Sequence, residues 1–493
     1  MIRALVSISV SVAFCFACLP ARSAAAQSDR KEAVAVNLDK LLDDYYEQLR
    51  EKRLNAASKT LAVIRKAIPN REVGAGLAAL MEAPIAAARK KDADARRLLA
   101  QGEVATAGEP QMLGVVLPAF LLVDRLDFAG LTLDHMIARA PDEVRLLDRA
   151  WVSATLRETR EPAATIENRH IALAEMGFGG NGGDYLTGTA ISILMKRREI
   201  DRATALLRHL DAPRDVEDIL IQRRFAPLWP DLAAQAGSKL ANSRASTVRL
   251  ALQDHLEKPD DPETLAELIS AYRYAGRHAD AIALREKLPR TAAEMAKADE
   301  QTGWAVNSLA QAFHEVNRHD EADQVFASLN EAVPANHWRV SMFINRAAFL
   351  VRDGKFKDAL PLISLAEKEG KSAYAMQLLR YLRYCTLTRI GRKSEAAALR
   401  GEMLLHAKDA KRATIDGLLC TGELDEAEKL ALQHIEDEDF QQDFVRSLQR
   451  VPLTADKTSV WGGWAALRQR PKILAAFEKL GRDLPEEFRA SER

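Results

Sequence analysis

The chain has 493 residues, of which 70 are Lys or Arg and 70 are Asp or Glu, so its formal net charge at pH 7 is zero. Chains that bind nucleic acid usually carry a basic excess or a basic stripe, and this sequence has neither. The same balance argues against electrostatic docking on an anionic membrane. The length is sufficient for one large core or for several domains.

The first 26 residues have the pattern of a secretory signal peptide. Arg3 supplies a positive charge, an uncharged apolar run of about 16 residues extends from Ala4 to Leu19, and small residues precede Gln27. A helix that spans a membrane needs ~20 residues, so this run is short for one. We expect cleavage after Ala26 and a periplasmic mature protein, in a bacterial cell, without a transmembrane segment. Cleavage also removes Arg3 and Arg22, which leaves 68 basic residues against 70 acidic ones.

From about residue 45 to 440 the chain shows apolar residues at i, i+3, i+4 and i+7, which predicts consecutive amphipathic helices and an all-α fold. The clearest unit has an apolar stripe, a turn glycine at Gly276 and a small residue, Ala281, at the start of a second helix. Its stripe consists of Leu265, Leu268, Ile269 and Tyr272. The next unit repeats this order, with Asn317 in the turn and Ala322 as the small residue.

A 12-residue step from a small residue to a proline occurs three times, as Ala57 to Pro69, Ala129 to Pro141 and Ala322 to Pro334. Together with the stripe and the turn glycine, this step resembles the tetratricopeptide repeat (TPR), most clearly over residues 262–370. The resemblance implies an α-solenoid of stacked antiparallel helix pairs, in which each pair buries its apolar faces against its neighbours. Ala359 holds the same position in a third unit, and weaker small-residue anchors fill the gaps at Ala95, Ala163, Ala203, Ala396 and Ala427.

The repeats depart from the TPR pattern in several places. Arg346 stands where a Leu is expected, and polar residues occupy stripe positions near 380 and 411. These are Arg380, Arg383, Lys411 and Thr414. We therefore expect shifted helix registers in the repeats near 380 and 411.

The same patterns suggest a domain organisation with two arms. A signal peptide (1–26) precedes N-terminal TPR-like repeats (27–225), a degenerate repeat or boundary (226–256), C-terminal TPR repeats (257–440) and C-terminal capping helices (441–493). The glycine-rich stretch 177–183 is a second boundary candidate. The cap is predicted from Trp461, Trp464 and an amphipathic helix over 471–480. A small docking module is the alternative for this tail.

Two cysteines, Cys385 and Cys420, remain after cleavage, since Cys15 and Cys18 leave with the signal peptide. Their separation of 35 residues is close to one repeat length, which places both on the first helices of neighbouring pairs. Packed helix axes lie about 8–10 Å apart, whereas bridged Cα atoms are usually under about 7 Å apart. We expect two buried thiols rather than a disulfide.

No sequence motif for catalysis is complete. Gly177, Gly179 and Gly182 match G-x-G-x-x-G, but the preceding segment is helical rather than a strand, which favours a loop over a nucleotide site. His314 and His319 nearly match the zinc-protease spacing, yet five residues of continuous helix turn two imidazoles about 140° apart. We expect no shared metal there, no cofactor and no enzymatic activity.

The TPR resemblance also implies where a ligand binds, because the first helix of each pair lines the concave face in such arrays. Carried over residue by residue, it gives these candidates for the groove: Arg273, Tyr274, Trp304, Asn307, Gln311, His314 and Arg352. Aromatic, amide and Arg side chains suit the binding of an extended peptide. The alternative is that these residues only pack or are solvated.

The function expected from these features is a non-enzymatic, exported scaffold that binds a protein or peptide of the bacterial cell envelope. The alternative is a periplasmic accessory or binding subunit of peptidoglycan or polysaccharide metabolism. Soluble lytic transglycosylases carry a comparable helical superhelix, but their catalytic domain is marked by a Glu-Ser dipeptide that this chain lacks.

Overall fold

The structure is a computed structural model. It describes residues 38–68, 71–106, 112–145, 147, 149–158, 161–178, 185–210, 212–332, 338–450 and 463–489. The predicted signal peptide and its cleavage position, Pro69, Pro334, Trp461 and most of the glycine-rich stretch lie outside the described residues.

All regular elements of the described residues are helical and none is a strand, so the all-α prediction is confirmed. The α-helices are α1 (Leu38–Arg50), α2 (Leu54–Ala67), α3 (Arg71–Ala88), α4 (Asp92–Ala105), α5 (Leu113–Leu122), α6 (Leu126–Arg139), α7 (Pro141–Val144), α8 (Arg149–Glu158), α9 (Ala163–Glu175), α10 (Tyr185–Lys196), α11 (Ile200–Leu206), α12 (Pro213–Ile221), α13 (Trp229–Ala236), α14 (Ala241–Glu257), α15 (Pro262–Tyr274), α16 (His278–Ala283), α17 (Ala292–Met295), α18 (Glu300–Glu315), α19 (His319–Ala332), α20 (Arg339–Arg352), α21 (Phe356–Glu369), α22 (Ala373–Arg389), α23 (Lys393–Leu405), α24 (Lys411–Thr421), α25 (Leu424–Gln433), α26 (Glu438–Ser447), α27 (Gly463–Arg468) and α28 (Pro471–Leu480). Among them, α28 has the bounds expected for the tail helix.

The chain divides into two compact units, Met1–Gly179 and Gly180–Arg493. The division falls within the glycine-rich stretch that was one of the two boundary candidates. The other candidate, residues 226–256, lies inside the second unit and forms α13 and α14. The first unit contains α1–α9 and the second contains α10–α28.

Nine helix pairs of the described chain share one turn. In each, a residue with positive φ stands two positions before the second helix: Lys52, Lys90, Asp124, Arg198, Gly276, Asn317, Gly354, Gly391 and Gly422. The next residue donates its N–H to the carbonyl five residues earlier, as Arg277 does to Tyr272 at 2.8 Å. This 6→1 bond and the left-handed residue form a Schellman motif, which ends the first helix.

The second helix starts at once, because the residue that closes the first helix also accepts the first hydrogen bond of the second. Arg277 accepts from the N–H of Ala281 at 3.1 Å, and the other eight turns have the same bond. The donor is always an alanine in the fourth position of the second helix, and all nine of these alanines are buried. They are Ala57, Ala95, Ala129, Ala203, Ala281, Ala322, Ala359, Ala396 and Ala427. The predicted small-residue anchors are thus confirmed at these positions.

The prediction fails at Ala163, which is exposed and is the first residue of α9. Near 380 the expected shift of register is present, because the buried core residues are Leu379 and Leu382, one position before Arg380 and Arg383, although Gly391 keeps the common turn. Near 411 the expectation is wrong, because Thr414 is buried at its stripe position and Gly422 keeps the common turn. Two of the polar residues at stripe positions pair with the preceding second helix. Arg383 donates to Glu367 at 2.8 Å and Arg346 donates to Asp323 at 2.8 Å.

In the second unit, eight helices contact one another in a closed circuit, from which the helices between them in the chain are left out. The circuit runs α12, α14, α15, α18, α20, α22, α24, α26 and back to α12. At the closure Arg446 on α26 forms a buried ion pair with Asp218 on α12, at 2.8 Å. Next to it Arg482 donates to the carbonyls of Leu220 and Ile221. The C-terminal segment, which was predicted to be a cap, therefore packs on α12, where the circuit begins.

Cys385 on α22 and Cys420 on α24 form a disulfide, with Cα atoms 5.8 Å apart, so the expectation of two thiols is wrong. The expectation rested on ordinary helix spacing. Here Gly417, one turn before Cys420, lies against Tyr381, where an added Cβ would be 3.2 Å from the Cβ of Tyr381. The missing side chain lets α22 and α24 approach closely enough for the bridge.

We find no helix in the described ranges with the length and apolar character needed to cross a lipid bilayer.

Candidate functional site

The seven predicted groove residues lie on three consecutive first helices, or at their ends. Arg273 and Tyr274 close α15, Arg352 closes α20, and the other four lie on α18. Those four, Trp304, Asn307, Gln311 and His314, recur every three or four residues and therefore share one face of α18. These helices contact one another in the order α15, α18, α20, so the structure brings the candidates onto one continuous surface.

Part of this surface is a ladder of polar contacts between neighbouring first helices. Ser270 and Ser308 share a hydrogen bond of 2.9 Å between α15 and α18. Asn345 of α20 donates to Asn307 of α18, also at 2.9 Å. A buried ion pair of 3.3 Å joins Arg273 to Glu315. Each contact holds one repeat at a fixed position on the next. Arg273 and Asn307 are each 5% exposed and already bound to side chains of neighbouring helices, so they have a structural role in the ladder.

Tyr274, Trp304, Gln311 and Arg352 are half-buried and form what we call the groove face. The indole N–H of Trp304 donates to Glu300 at 3.4 Å while its ring packs on the core below. The guanidinium of Arg273 stacks on Tyr274 at 4.5 Å, and that of Arg352 stacks on Phe349 at 4.6 Å. This face offers aromatic area, an amide and a cation on a rigid support, which are the groups that bind extended peptides.

At one end of this surface, His314 meets two further metal-binding side chains. Its Nε2 lies 2.9 Å from Oδ1 of Asp353 and 2.9 Å from Nδ1 of His319, and His319 Nδ1 lies 3.2 Å from the same Asp353 oxygen. The expectation that the two histidines cannot share a metal is therefore wrong. It assumed a continuous helix, whereas the left-handed Asn317 ends α18 and α19 starts at His319.

Electrostatics keep His314 and Asp353 close to the protonation states that a metal requires. Burial lowers the pKa of His314, and the charge of Arg352 lowers it further against the opposing effect of Asp353. Burial would raise the pKa of Asp353, but the hydrogen bond with His314 and the nearby positive charges hold it below its usual value. At neutral pH His314 is thus neutral and Asp353 is ionised.

Sequence reasoning missed Asp353 as a partner of His314 and the polar ladder as a whole, although the sequence contains a signal. Two contacts of the ladder, Ser270–Ser308 and Asn307–Asn345, join residues 38 positions apart, and His314–Asp353 joins residues 39 apart, which is about one repeat length. Polar residues that recur at this period on first helices point to contacts between repeats.

A further exposed aromatic lies near the closure of the circuit. Tyr374, at the start of α22, is 60% exposed, yet burial raises its pKa. Asp443 of α26 lies 3.7 Å from Arg412 of α24, and burial also raises the pKa of this carboxyl. The charges of Asp443 and Arg412 both act on the Tyr374 phenol, so Tyr374 presents an exposed ring beside an Arg–Asp pair.

The chain matches no protein-family model, and a comparison with curated proteins finds no match either. The structure by itself establishes a helical-repeat fold of solenoid type.

Proposed function

We propose that the protein is an exported, non-enzymatic scaffold with TPR-like repeats, which binds an extended segment of a cell-envelope protein along the groove face. The observation that carries the proposal is the groove face itself. Tyr274, Trp304, Gln311 and Arg352 lie on three helices whose relative positions are fixed by the polar ladder. A preorganised surface loses little conformational entropy when it binds a flexible ligand.

Two features support export to an oxidising compartment. The N-terminal sequence has the signal-peptide pattern, and the mature chain contains a disulfide, Cys385–Cys420. Disulfides persist in the periplasm and are rare in the cytosol of most organisms.

Site-specific photo-crosslinking in the native cell tests the binding proposal. A photoreactive phenylalanine analogue replaces Gln311 or Tyr274 on the groove face. Matched controls carry it at Val104 or Leu405, each of which is 78% exposed and belongs to none of the three helices that carry the groove face. We expect one dominant protein adduct from the groove positions, none of the same mass from the controls, and loss of the Tyr274 adduct in the Trp304→Ser background.

Adducts of equal yield at groove and control positions, or no protein adduct at the groove, would contradict the proposal. Circular dichroism of the Trp304→Ser variant verifies that lost crosslinking does not reflect lost folding.

The second candidate function is binding of peptidoglycan or another polysaccharide, as an accessory subunit. The exposed ring of Tyr374 favours it, because an aromatic face can pack on a sugar while the neighbouring Arg412 and Asp443 hydrogen-bond its hydroxyls. Co-sedimentation with purified peptidoglycan and with exopolysaccharide tests this function. Retention that is lost in Tyr374→Ser and kept in Gln311→Ala would support it, and absence of retention on both glycans would exclude it.

A further inference from the structure

The trio His314, His319 and Asp353 forms a triangle of ligand atoms close to the size that a transition-metal ion requires. The three sides, between His314 Nε2, His319 Nδ1 and Asp353 Oδ1, measure 2.9, 2.9 and 3.2 Å. Zn²⁺ takes nitrogen and carboxylate oxygen ligands at about 2.0–2.2 Å in a tetrahedral arrangement, which places the ligand atoms about 3.3–3.6 Å apart. The triangle is a few tenths of an ångström smaller than this, a difference that small side-chain rotations can supply.

Hydrogen bonds alone cannot satisfy all three of these atoms at once. If one ring nitrogen carries the proton, its single N–H can point well at only one of the two other atoms. If both ring nitrogens carry protons, the two N–H groups of His314 and His319 face each other across 2.9 Å. A cation at the centre accepts a lone pair from all three atoms and removes this conflict.

The fold holds the three side chains in place from separate elements. His314 lies in the last turn of α18, His319 is the first residue of α19, and Asp353 follows α20 directly. The His314 ring packs on Phe349 with 4.8 Å between the ring centres. His314 and Asp353 are 11% and 13% exposed, whereas His319 is 37% exposed, so water has access from one side. An ion here would join two successive helix pairs.

Nearby cations do not block the site. Arg318, next to His319, pairs with Glu321, and Lys355 pairs with Asp320 at 2.9 Å. Arg352 stacks on Phe349 and has the charge that opposes an ion most directly. The carboxylate of Asp353 offsets that charge within the trio.

We propose that His314, His319 and Asp353 bind one first-row divalent cation of the zinc class. Two imidazoles and one carboxylate are ligands that suit Zn²⁺ and its neighbours rather than Mg²⁺ or Ca²⁺, which prefer all-oxygen sites. Three protein ligands leave at least one position for water or for a group of a binding partner. The site lies at the end of the surface that carries the groove face, but its existence does not depend on the proposed function.

Titration of ZnCl₂ into the mature protein, produced without a histidine tag, tests the site by calorimetry. We expect one Zn²⁺ per chain with a dissociation constant in the micromolar range or tighter. His319→Gln and Asp353→Asn should each weaken binding at least about 10-fold. His406→Gln is the matched control, because His406 lies 3.2 Å from Asp409 as a surface His–Asp pair to which the described part of the chain adds no third ligand. It should bind Zn²⁺ as the wild type does.

A wild-type protein that binds no Zn²⁺, or ligand variants that bind it as the wild type does, would overturn the proposal and leave a hydrogen-bonded cluster at a helix corner. His319 is the most exposed of the three, so His319→Gln should fold normally. Its thermal transition provides a second measurement, because Zn²⁺ should raise the melting temperature of the wild type and of His406→Gln but not that of His319→Gln.

Discussion

At the scale of single residues, the shared turn requires a left-handed backbone at one position, but it does not require that position to lack a side chain for reasons of space. Gly354 has φ of +74°, and an added Cβ there would have no atom within 4 Å. Glycine is therefore favoured here by the positive φ of the backbone, and not because a side chain would clash with a neighbour. Lys52, Lys90, Asp124 and Arg198 adopt the same conformation with a side chain, and each incurs the backbone strain that the glycines avoid.

Substitution of glycine by alanine should accordingly have opposite effects at two exposed positions. Gly354→Ala forces a left-handed alanine and should lower the free energy of unfolding by about 1 kcal/mol. Gly401 lies inside α23 and also has open space around its Cα, so Gly401→Ala should raise that free energy by about 0.5–1 kcal/mol. Chemical denaturation of both variants measures the difference, and equal effects of the same sign would refute the backbone explanation.

His255 is a buried histidine whose partners fix its neutral form. Its Nε2 lies 2.8 Å from the ammonium of Lys287 and its Nδ1 lies 3.2 Å from the hydroxyl of Thr264. Burial lowers the pKa of His255 below 6.5, and the charge of Lys287 lowers it further, against a smaller opposing effect of Asp261. Protonation would place two cations in contact.

Stability should therefore fall as the pH drops below about 6.5. In that window the unfolded histidine binds a proton that the folded one does not, so the unfolded state holds more protons and acid favours it. His255→Gln should lose less stability than the wild type between pH 7.5 and pH 5.5, measured by denaturation at each pH. The exposed His406→Gln should follow the wild type, and a His255→Gln curve parallel to both would contradict this role.

At the scale of elements, a pair of first helices is held together by more than apolar packing. Between α22 and α24, the buried Gln377 donates to Thr414 at 2.7 Å, Arg389 donates to the carbonyl of Cys420 at 2.7 Å, and the disulfide lies between these bonds. Each hydrogen bond contributes about 1 kcal/mol net, whereas the covalent link restricts the unfolded chain itself.

Reduction of the Cys385–Cys420 disulfide should therefore lower the free energy of unfolding strongly. Because the bridge closes 35 residues, the chain-entropy estimate of its contribution is about 4 kcal/mol. We expect dithiothreitol to lower the denaturation midpoint of the wild type and to leave that of the double variant Cys385→Ala, Cys420→Ala unchanged. Two free thiols per mature chain in the denatured, unreduced protein would show that the bridge does not form.

At the scale of the whole molecule, closure of the circuit distinguishes the second unit from an open solenoid. Repeats in an open array contact only their sequence neighbours. Here the side chain of Arg446 contacts Asp218, 228 residues earlier in the chain. Gln442 also donates to Asp218, at 2.8 Å, so a single carboxylate receives two donors from α26.

Removal of one member of the buried Arg446–Asp218 pair should strongly lower the stability of the second unit. Arg446→Met leaves the Asp218 carboxylate without its counter-charge and should lower the free energy of unfolding by about 3–5 kcal/mol. Lys196→Met breaks the exposed ion pair between Lys196 of α10 and Glu438, which lies on α26 as Arg446 does. This change should lower the free energy of unfolding by less than about 1 kcal/mol. Denaturation measures both, and hydrogen exchange should show lost protection in residues 213–221 for Arg446→Met only. Equal effects of the two variants would contradict the assigned role of the closure.

The sequence by itself determined the repeat. The helical period, the turn glycines and the buried alanines Ala57, Ala129, Ala281 and Ala322 are local patterns, because a Schellman turn followed by a small residue needs only about ten consecutive residues. The candidate groove residues were likewise assigned from their position within a repeat, and the structure places them on adjoining first helices.

Only the tertiary structure decided how distant residues meet. The disulfide depended on the close approach that Gly417 allows, the His314–His319–Asp353 trio depended on the helix break at Asn317, and the closure joins residues more than 220 positions apart. Each of these contacts depends on the angle between successive helix pairs. That angle is set by the shapes of all side chains packed between the helices, and no single stretch of sequence encodes it.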